Sequence, residues 1–211
     1  MKAKRLSLAC FMAIAAGCVP VVSLHPLFTE DTIVFEEKLL GTWADTDQSV
    51  TWEFTRLDDE LAESLSGKLP ADPNRFYHLE VTDRQGNKGV FLAGLVRLDG
   101  RLYLDVFADR FPSGEREAEA MKLVYNAFFF IPAHTFVSVD LTDEQLTVRL
   151  TNDDKFEELL ETEPDAVAHQ VVDDRPILTA PTDELQSFII ERAGDERLFP
   201  SETTLTRKQA R

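Results

Sequence analysis

Cysteine is scarce in this chain: only Cys10 and Cys18 occur among 211 residues, and both lie near the N-terminus. From Val19 to Arg211 there is no thiol at all. That part of the chain therefore cannot form a disulfide within itself, and its fold must depend on packing.

Long hydrophobic runs are also missing. The uncharged, mostly apolar run from Leu6 to Ala16 has 11 residues, roughly half of the about 20 that a helix needs to cross a bilayer. A basic start with Lys2, Lys4 and Arg5 precedes it, and small residues follow it. A basic start, a short apolar run and small residues in this order are typical of a secretion signal. We expect that signal to cover residues 1–17.

Residues 14–18 read Ile-Ala-Ala-Gly-Cys. This segment resembles the lipobox of bacterial lipoproteins, with Ala15 at a position where that family usually has Leu. The resemblance implies cleavage between Gly17 and Cys18 and attachment of palmitate-type acyl chains to the Cys18 thiol. The alternatives are an ordinary secretory signal with a chance cysteine, or a buried apolar segment.

The lipoprotein interpretation predicts a lipid-anchored protein of the bacterial cell envelope. Because Val19 and not Asp follows the cysteine, we expect the periplasmic face of the outer membrane if the source has two membranes. Residues 18–34 would form a lipidated tether, whose apolar composition indicates packing against a single domain over 35–211. The Ser-Leu-His-Pro-Leu segment at 23–27 is similar to one in a group of uncharacterised bacterial lipoproteins.

Basic residues are few compared with acidic ones. The whole chain has 22 Lys and Arg against 38 Asp and Glu, and without the three basic residues of the signal the formal charge becomes −19. Such a surface repels phosphate backbones and anionic headgroups. This excludes nucleic acid as a partner and leaves the lipid as the means of membrane attachment.

Familiar catalytic and metal-binding patterns are absent from the sequence. The four histidines are not spaced as metal ligands on one face, and there is neither a Gly-x-Ser-x-Gly elbow nor a phosphate-binding glycine loop. His134 follows an apolar run, so we expect it to be buried with one hydrogen bond. Acidic clusters such as Asp173-Asp174 lack calcium-loop spacing and are expected to be solvated. The sequence therefore predicts a protein with no metal, no cofactor and no enzymatic activity, with a hydrolase as the weaker alternative.

A period of two dominates the chain from Trp43 to Leu150. Apolar and polar residues alternate in five runs, at 50–55, 77–81, 102–107, 137–141 and 146–150. Residues 89–96 are apolar on both faces, which suits a strand covered on both sides. Asp99-Gly100 is a strong signal for a two-residue hairpin turn. These patterns predict a mainly β fold, an antiparallel meander that forms a barrel or curved sheet of about seven to eight strands.

The remaining segments carry helical signals. Residues 109–125, which include the charged run at 115–122, suggest a helical turn or a lid-like loop. Asn152 or Asp153 can cap a short helix. A second helix, at about 181–194, starts at Thr182 and has acidic residues in its first turn. We expect the tail after this helix to be frayed.

Gly41-x-Trp43 at the start of the meander, followed by a C-terminal helix, resembles the lipocalin and calycin group of ligand-binding barrels. The resemblance implies that Trp43 closes one end of the barrel against a late-strand arginine, for which Arg149 is the candidate. From the alternating apolar faces of the meander, we expect Trp43, Trp52, Phe54 and Tyr77 to lie on or near the inward side.

Two functions remain open from the sequence. The leading one is non-enzymatic binding of an apolar or amphipathic small molecule inside the barrel. The alternative is a structural or protein-interaction lipoprotein of the envelope with a filled barrel. Small residues such as Ala93 and Gly94 would leave room for a ligand, whereas uniformly bulky inward residues would fill the interior.

Overall fold

The computed structural model describes residues 20–108 and 131–208. The described part contains twelve strands: β1 Val22–Ser23, β2 Ile33–Val34, β3 Gly41–Ala44, β4 Thr51–Arg56, β5 Phe76–Thr82, β6 Lys88–Leu98, β7 Arg101–Ala108, β8 His134–Leu141, β9 Gln145–Leu150, β10 His169–Val172, β11 Arg175–Leu178 and β12 Ser201–Arg207. The helices are α1 Asp59–Leu65, α2 Asp153–Thr162 and α3 Thr182–Glu191, with 3-10 turns at Glu37–Leu39 and Pro73–Arg75.

Eight antiparallel strands close into a barrel. Strands β3 to β9 pair in sequence order as a meander, and β12 lies between β9 and β3. The prediction of a mainly β meander that forms a barrel is therefore confirmed. Asp99 and Gly100 both have positive φ, 46° and 76°, as the predicted hairpin turn requires.

The prediction of a frayed tail is wrong. Residues 201–207 form β12, which pairs with β9 over six residues and reaches β3 through Thr206 and Arg207. Leu205 is fully buried in the barrel. The pairing of β12 satisfies the backbone groups of two strand edges that would otherwise stay open.

Residues 20–40, called the strap below, pack on the outside of the barrel as far as Ile33 and then cover one of its ends, where Leu39 belongs to the interior cluster. Strand β1 pairs with β8 and β11, and β2 pairs with β6. Val21, Leu27, Phe28 and Ile33 are buried in a cluster between the barrel wall and the outer elements. The described part of the predicted tether thus packs against the barrel, as its apolar composition indicates.

Helices α2 and α3 and the β10–β11 hairpin form a further part of the outer layer, to which α1 adds Leu61. Asn152 caps α2 by accepting a 2.8 Å hydrogen bond from the Lys155 N–H, as predicted. Helix α3 buries Leu185, Phe188 and Ile189, and Thr182 ties it to the strap by donating to the Pro26 carbonyl at 2.8 Å.

Strand β6 is buried on both faces from Leu92 to Val96, because the barrel core lies on one side and the strap and its neighbours lie on the other. The predicted helical turn at 115–122 lies outside the described residues. Among the described helices, none is both long and apolar enough to span a membrane.

Candidate functional site

The barrel interior is the place where a lipocalin-like protein would hold a ligand, and here it is lined by large side chains. Trp43, Trp52, Phe54 and Tyr77 are at most 2% exposed. They belong to one apolar cluster with further inward residues of the barrel: Val50, Leu79, Val81, Ala93, Leu95, Leu104, Val106, Val137, Val139, Leu146, Val148, Leu150 and Leu205. The four aromatic residues selected from the sequence therefore meet in one core.

The small residues in β6 do not leave a large opening. Ala93 lies directly opposite Tyr77 in the β5–β6 ladder, so a large and a small side chain share one layer of the core. Gly94 is adjacent in the chain and faces the other side of the sheet, where a Cβ would lie 3.1 Å from Phe76 Cε1. The space at Gly94 is thus occupied by the Phe76 ring outside the barrel.

A cavity of about 10 Å³ remains near one end of the barrel. Its lining residues are Trp52, Leu79, Val81, Phe91, Val106, Thr135, Val137 and Leu150. Such a volume is close to the minimum for one water molecule, whereas ligand pockets typically measure about 300–1,000 Å³. The Trp52 Nε1 atom is buried and has no hydrogen-bond partner among the described residues.

The opposite end, called the base below, is closed by the Gly-x-Trp motif. The guanidinium of Arg207 lies 4.1 Å from the centre of the Trp43 ring, a cation–π distance. Arg207 also donates to the Leu40 carbonyl at 2.7 Å, to the Asp143 carbonyl at 2.8 Å and to the Lys38 carbonyl. Trp43 Nε1 donates to the Leu39 carbonyl at 2.9 Å.

The glycine of the motif has a steric role at this base. Gly41 has a φ of +114°, and a Cβ there would lie 3.1 Å from a terminal nitrogen of Arg207. Gly41 therefore both adopts a backbone conformation that other residues avoid and leaves space for the arginine.

The choice of Arg149 as the partner of Trp43 is wrong. Arg149 is on the outer face of the barrel, where it forms ion pairs with Asp140 at 2.7 Å and Glu202 at 2.8 Å. Arg207 occupies the late-strand position because β12, and not β9, is the last barrel strand beside β3. No alternation marks this strand, since Leu205 is its only apolar residue, and the threonines at 203, 204 and 206 are only a weak β-favouring signal.

Tyr77 connects the base to the strap. Its hydroxyl accepts a 2.6 Å hydrogen bond from the Glu36 N–H and donates to the Glu36 carbonyl at 3.2 Å. The Phe35 and Tyr77 rings are stacked, with their centroids 4.7 Å apart. Burial raises the pKa of Tyr77 well above its ordinary value, so the hydroxyl stays protonated at neutral pH and can donate.

A buried Asp–His pair holds the middle of the strap. Asp105 is fully buried, and its carboxylate lies 2.7 Å from His134 Nδ1 and accepts a 2.6 Å hydrogen bond from the Leu27 N–H. Burial raises the pKa of Asp105, while the His134 contact opposes this rise. His134 is buried and hydrogen-bonded, as predicted. Sequence reasoning missed Asp105, because its place in an alternating strand suggested solvent exposure.

The start of the strap is fixed by two threonines. Thr135 donates to the Val21 carbonyl at 3.1 Å, and the Val21 N–H donates to Thr151 Oγ1 at 3.0 Å. Gly17 and Cys18, the predicted cleavage and lipidation residues, lie outside the described residues.

Within residues 20–108 and 131–208, no group of three or more His, Cys, Asp or Glu side chains could hold a metal ion. Comparisons of the chain with protein-family models, curated proteins and solved structures find no match.

Proposed function

We propose that this chain is a lipid-anchored protein of the bacterial cell envelope whose filled barrel acts as a rigid scaffold for contacts with other envelope proteins. The packing of the barrel interior is the observation that carries the proposal. Large side chains occupy the space where a lipocalin-like protein would hold its ligand, so the outer surface is left as the functional part.

The anchor half of the proposal is supported by the N-terminal sequence and by the position of the strap. A basic start, a short apolar run and a lipobox-like segment end at Cys18. Val21 is fixed to the barrel by Thr135 and Thr151, so a lipid on Cys18 would hold the domain directly at the bilayer surface. An acidic surface gives the bilayer no electrostatic attraction, which leaves the acyl chains to provide the attachment.

Replacement of the cysteine tests the anchor. Each buried methylene of an acyl chain contributes about 0.8 kcal/mol, and stable anchoring needs more than one chain. We expect Cys18→Ser to leave the protein unprocessed or free of membranes after a high-salt wash, with Cys10→Ser as the matched control that stays anchored. Processed Cys18→Ser protein that still sediments with membranes would exclude the lipid anchor.

Localisation has its own measurement. Because Val19 follows the cysteine, we expect the mature protein in outer-membrane fractions of a two-membrane host. Its presence solely in inner-membrane fractions of a density gradient would contradict this expectation.

Ligand analysis tests the filled barrel. The chain from Cys18 onward, carrying Cys18→Ser, should show no copurified small molecule by native mass spectrometry. It should also show no saturable binding of a fluorescent fatty-acid analogue. Saturable binding that quenches tryptophan emission would favour the second candidate function, binding of an apolar or amphipathic small molecule.

One observation favours that second candidate. A buried N–H without an acceptor costs about 1–3 kcal/mol, so the Trp52 indole beside the small cavity calls for an acceptor atom. If a small molecule supplies it, Trp52→Phe should weaken binding of the probe, whereas Trp43→Phe at the base should leave it unchanged. If one water supplies it, neither variant should bind the probe.

A further inference from the structure

The barrel has no free edge, but the outer sheet has one. Strand β10 pairs with β11 on one side and has no partner strand on the other among the described residues. Natural proteins usually protect such an edge with a proline, a lysine, a bulge or a covering element. Strand β10 instead reads His-Gln-Val-Val, with Val171 62% and Val172 49% exposed.

The hairpin geometry shows which backbone groups face outward. Asp173 and Asp174 both have positive φ, as in a two-residue type I′ turn, so Val172 and Arg175 form the closing hydrogen-bonded pair. Hydrogen-bonded and non-hydrogen-bonded pairs alternate along an antiparallel ladder. Val171 and Pro176 are therefore a non-hydrogen-bonded pair, and Pro176 has no N–H to offer. The N–H and C=O of Val171 consequently point away from β11, toward the free edge.

A groove of about 200 Å³ lies beside this edge, between α2 and the β10–β11 hairpin. Its apolar lining is formed by Leu160, Val171 and Pro176, and its remaining lining residues are Glu157, Glu161, Asp174 and His169. None of the three carboxylates forms an ion pair with another described residue. The groove is thus shaped for an aliphatic stem that ends in a positive charge.

We propose that β10 is a docking edge for an extended, basic segment of another envelope protein, which adds to the sheet as a strand. The main chain of the segment would pair with the outward N–H and C=O of Val171. A lysine or arginine would lie in the groove, with its stem over Leu160 and its charge near Glu157 and Glu161. This inference deepens the proposed function and rests on it, because it names where the scaffold makes its contact.

Charge argues against the other occupants of this edge. A second copy of this chain would bring the same carboxylates to the contact, and like charges disfavour such pairing. A bilayer with anionic lipids is repelled for the same reason. A basic strand is the occupant that matches both the open backbone and the carboxylates that have no ion-pair partner in the described part of the chain.

The test uses the chain from Cys18 onward, carrying Cys18→Ser. A capped Lys-Val-Lys-Val-Lys peptide is titrated into this protein, and its backbone amide signals are monitored by NMR. We expect saturable changes in the amide chemical shifts of β10 and of the groove residues, and no such changes with a capped Glu-Val-Glu-Val-Glu peptide. Removing two charges through Glu157→Gln with Glu161→Gln should weaken binding about tenfold. The matched control, Glu60→Gln with Glu63→Gln on exposed α1, removes the same charge elsewhere and should not weaken it.

Two variants at one position separate strand addition from simple charge attraction. Val171→Pro removes the outward N–H without breaking a β10–β11 hydrogen bond and should abolish binding, whereas Val171→Thr keeps the N–H and should still bind. Equal binding by both variants would overturn strand addition. Three other results would each overturn the proposal. They are dimerisation through β10 in sedimentation equilibrium, binding of this edge to phosphatidylglycerol-containing vesicles, and no change in the amide signals with the basic peptide. These readouts do not involve the barrel interior, so they are independent of the ligand test of the proposed function.

Discussion

At the scale of single residues, the base of the barrel depends on one arginine that makes several different contacts. Arg207 covers Trp43 and reaches three backbone carbonyls from two separate turns. Gly41 provides the space for it. Hydrogen bonds from a charged donor to carbonyls are stronger than those between neutral groups, so this residue should contribute more to stability than an ordinary surface arginine.

We therefore expect Arg207→Ala to lower the free energy of unfolding by about 2–3 kcal/mol, from lost cation–π and hydrogen-bond contacts. Arg149→Ala is the control, since an exposed ion pair is worth about 0–1 kcal/mol. Urea denaturation of both variants measures the two values. Equal losses from the two substitutions would contradict the assignment of Arg207 as the base arginine.

The buried Asp105 predicts how stability depends on pH. Because burial raises the pKa of Asp105 in the folded protein above its ordinary value of 3.8, the unfolded chain releases this proton first. The contribution of Asp105 to stability is thus complete below pH 3.8 and declines as the pH rises through the folded pKa. Each unit by which the pKa is raised corresponds to about 1.4 kcal/mol.

Asp105→Asn keeps an acceptor for the Leu27 N–H but cannot ionise. Relative to this variant, the wild type should lose stability as the pH increases from 3.8, and the difference should be constant below that pH. Denaturation curves at a series of pH values give the comparison, with exposed Asp140→Asn as the control. A wild type that gains stability over Asp105→Asn across this range would show that the His134 contact outweighs burial.

At the scale of elements, sequence reasoning was reliable where alternation and turn chemistry were local. The runs around Trp52, Leu79, Leu104 and Val139 are strands of one meander, because each has apolar residues facing the same core. Sequence reasoning failed at β12, where Leu205 is the only apolar residue among the seven of the strand. That strand is fixed by its ladders with β9 and β3, which no local pattern shows, and the error led directly to the choice of Arg149 over Arg207.

Closure of the barrel by β12 can be tested with two adjacent residues. Leu205→Ala removes a fully buried side chain and should lower the free energy of unfolding by about 2–5 kcal/mol. Thr204→Ala, on the exposed face of the same strand, should change it by no more than about 0.5 kcal/mol. Amide exchange of Leu146 and Val148 on the neighbouring β9 should accelerate in the first variant alone. Similar exchange in both would mean that β12 does not stabilise the barrel.

At the scale of the whole molecule, the proposed lipid on Cys18 and the observed path of the strap together predict one orientation of the domain on the membrane. Strand β1 runs parallel to β11, with Val22 beside Ile177, so Pro20 lies level with Arg175 near the turn of the β10–β11 hairpin. Two residues span at most about 7 Å, so the proposed attachment point would be within that reach of Pro20. A lipid on Cys18 would then place the β10–β11 hairpin next to the bilayer, where a partner in the same membrane can reach it.

The predicted orientation can be measured, because the chain from Cys18 onward has no other thiol. An engineered cysteine in the lipidated protein therefore takes a fluorescent label at a single site. We expect a label at Val172→Cys, beside the hairpin turn, to be quenched strongly by nitroxide lipids in reconstituted vesicles. A label at Glu53→Cys should be quenched weakly, because β4 lies four strands from β8 in the eight-strand barrel and thus on the opposite wall. Equal quenching at the two sites would mean that the domain moves freely on its anchor, and stronger quenching at Glu53→Cys would place the opposite wall against the membrane.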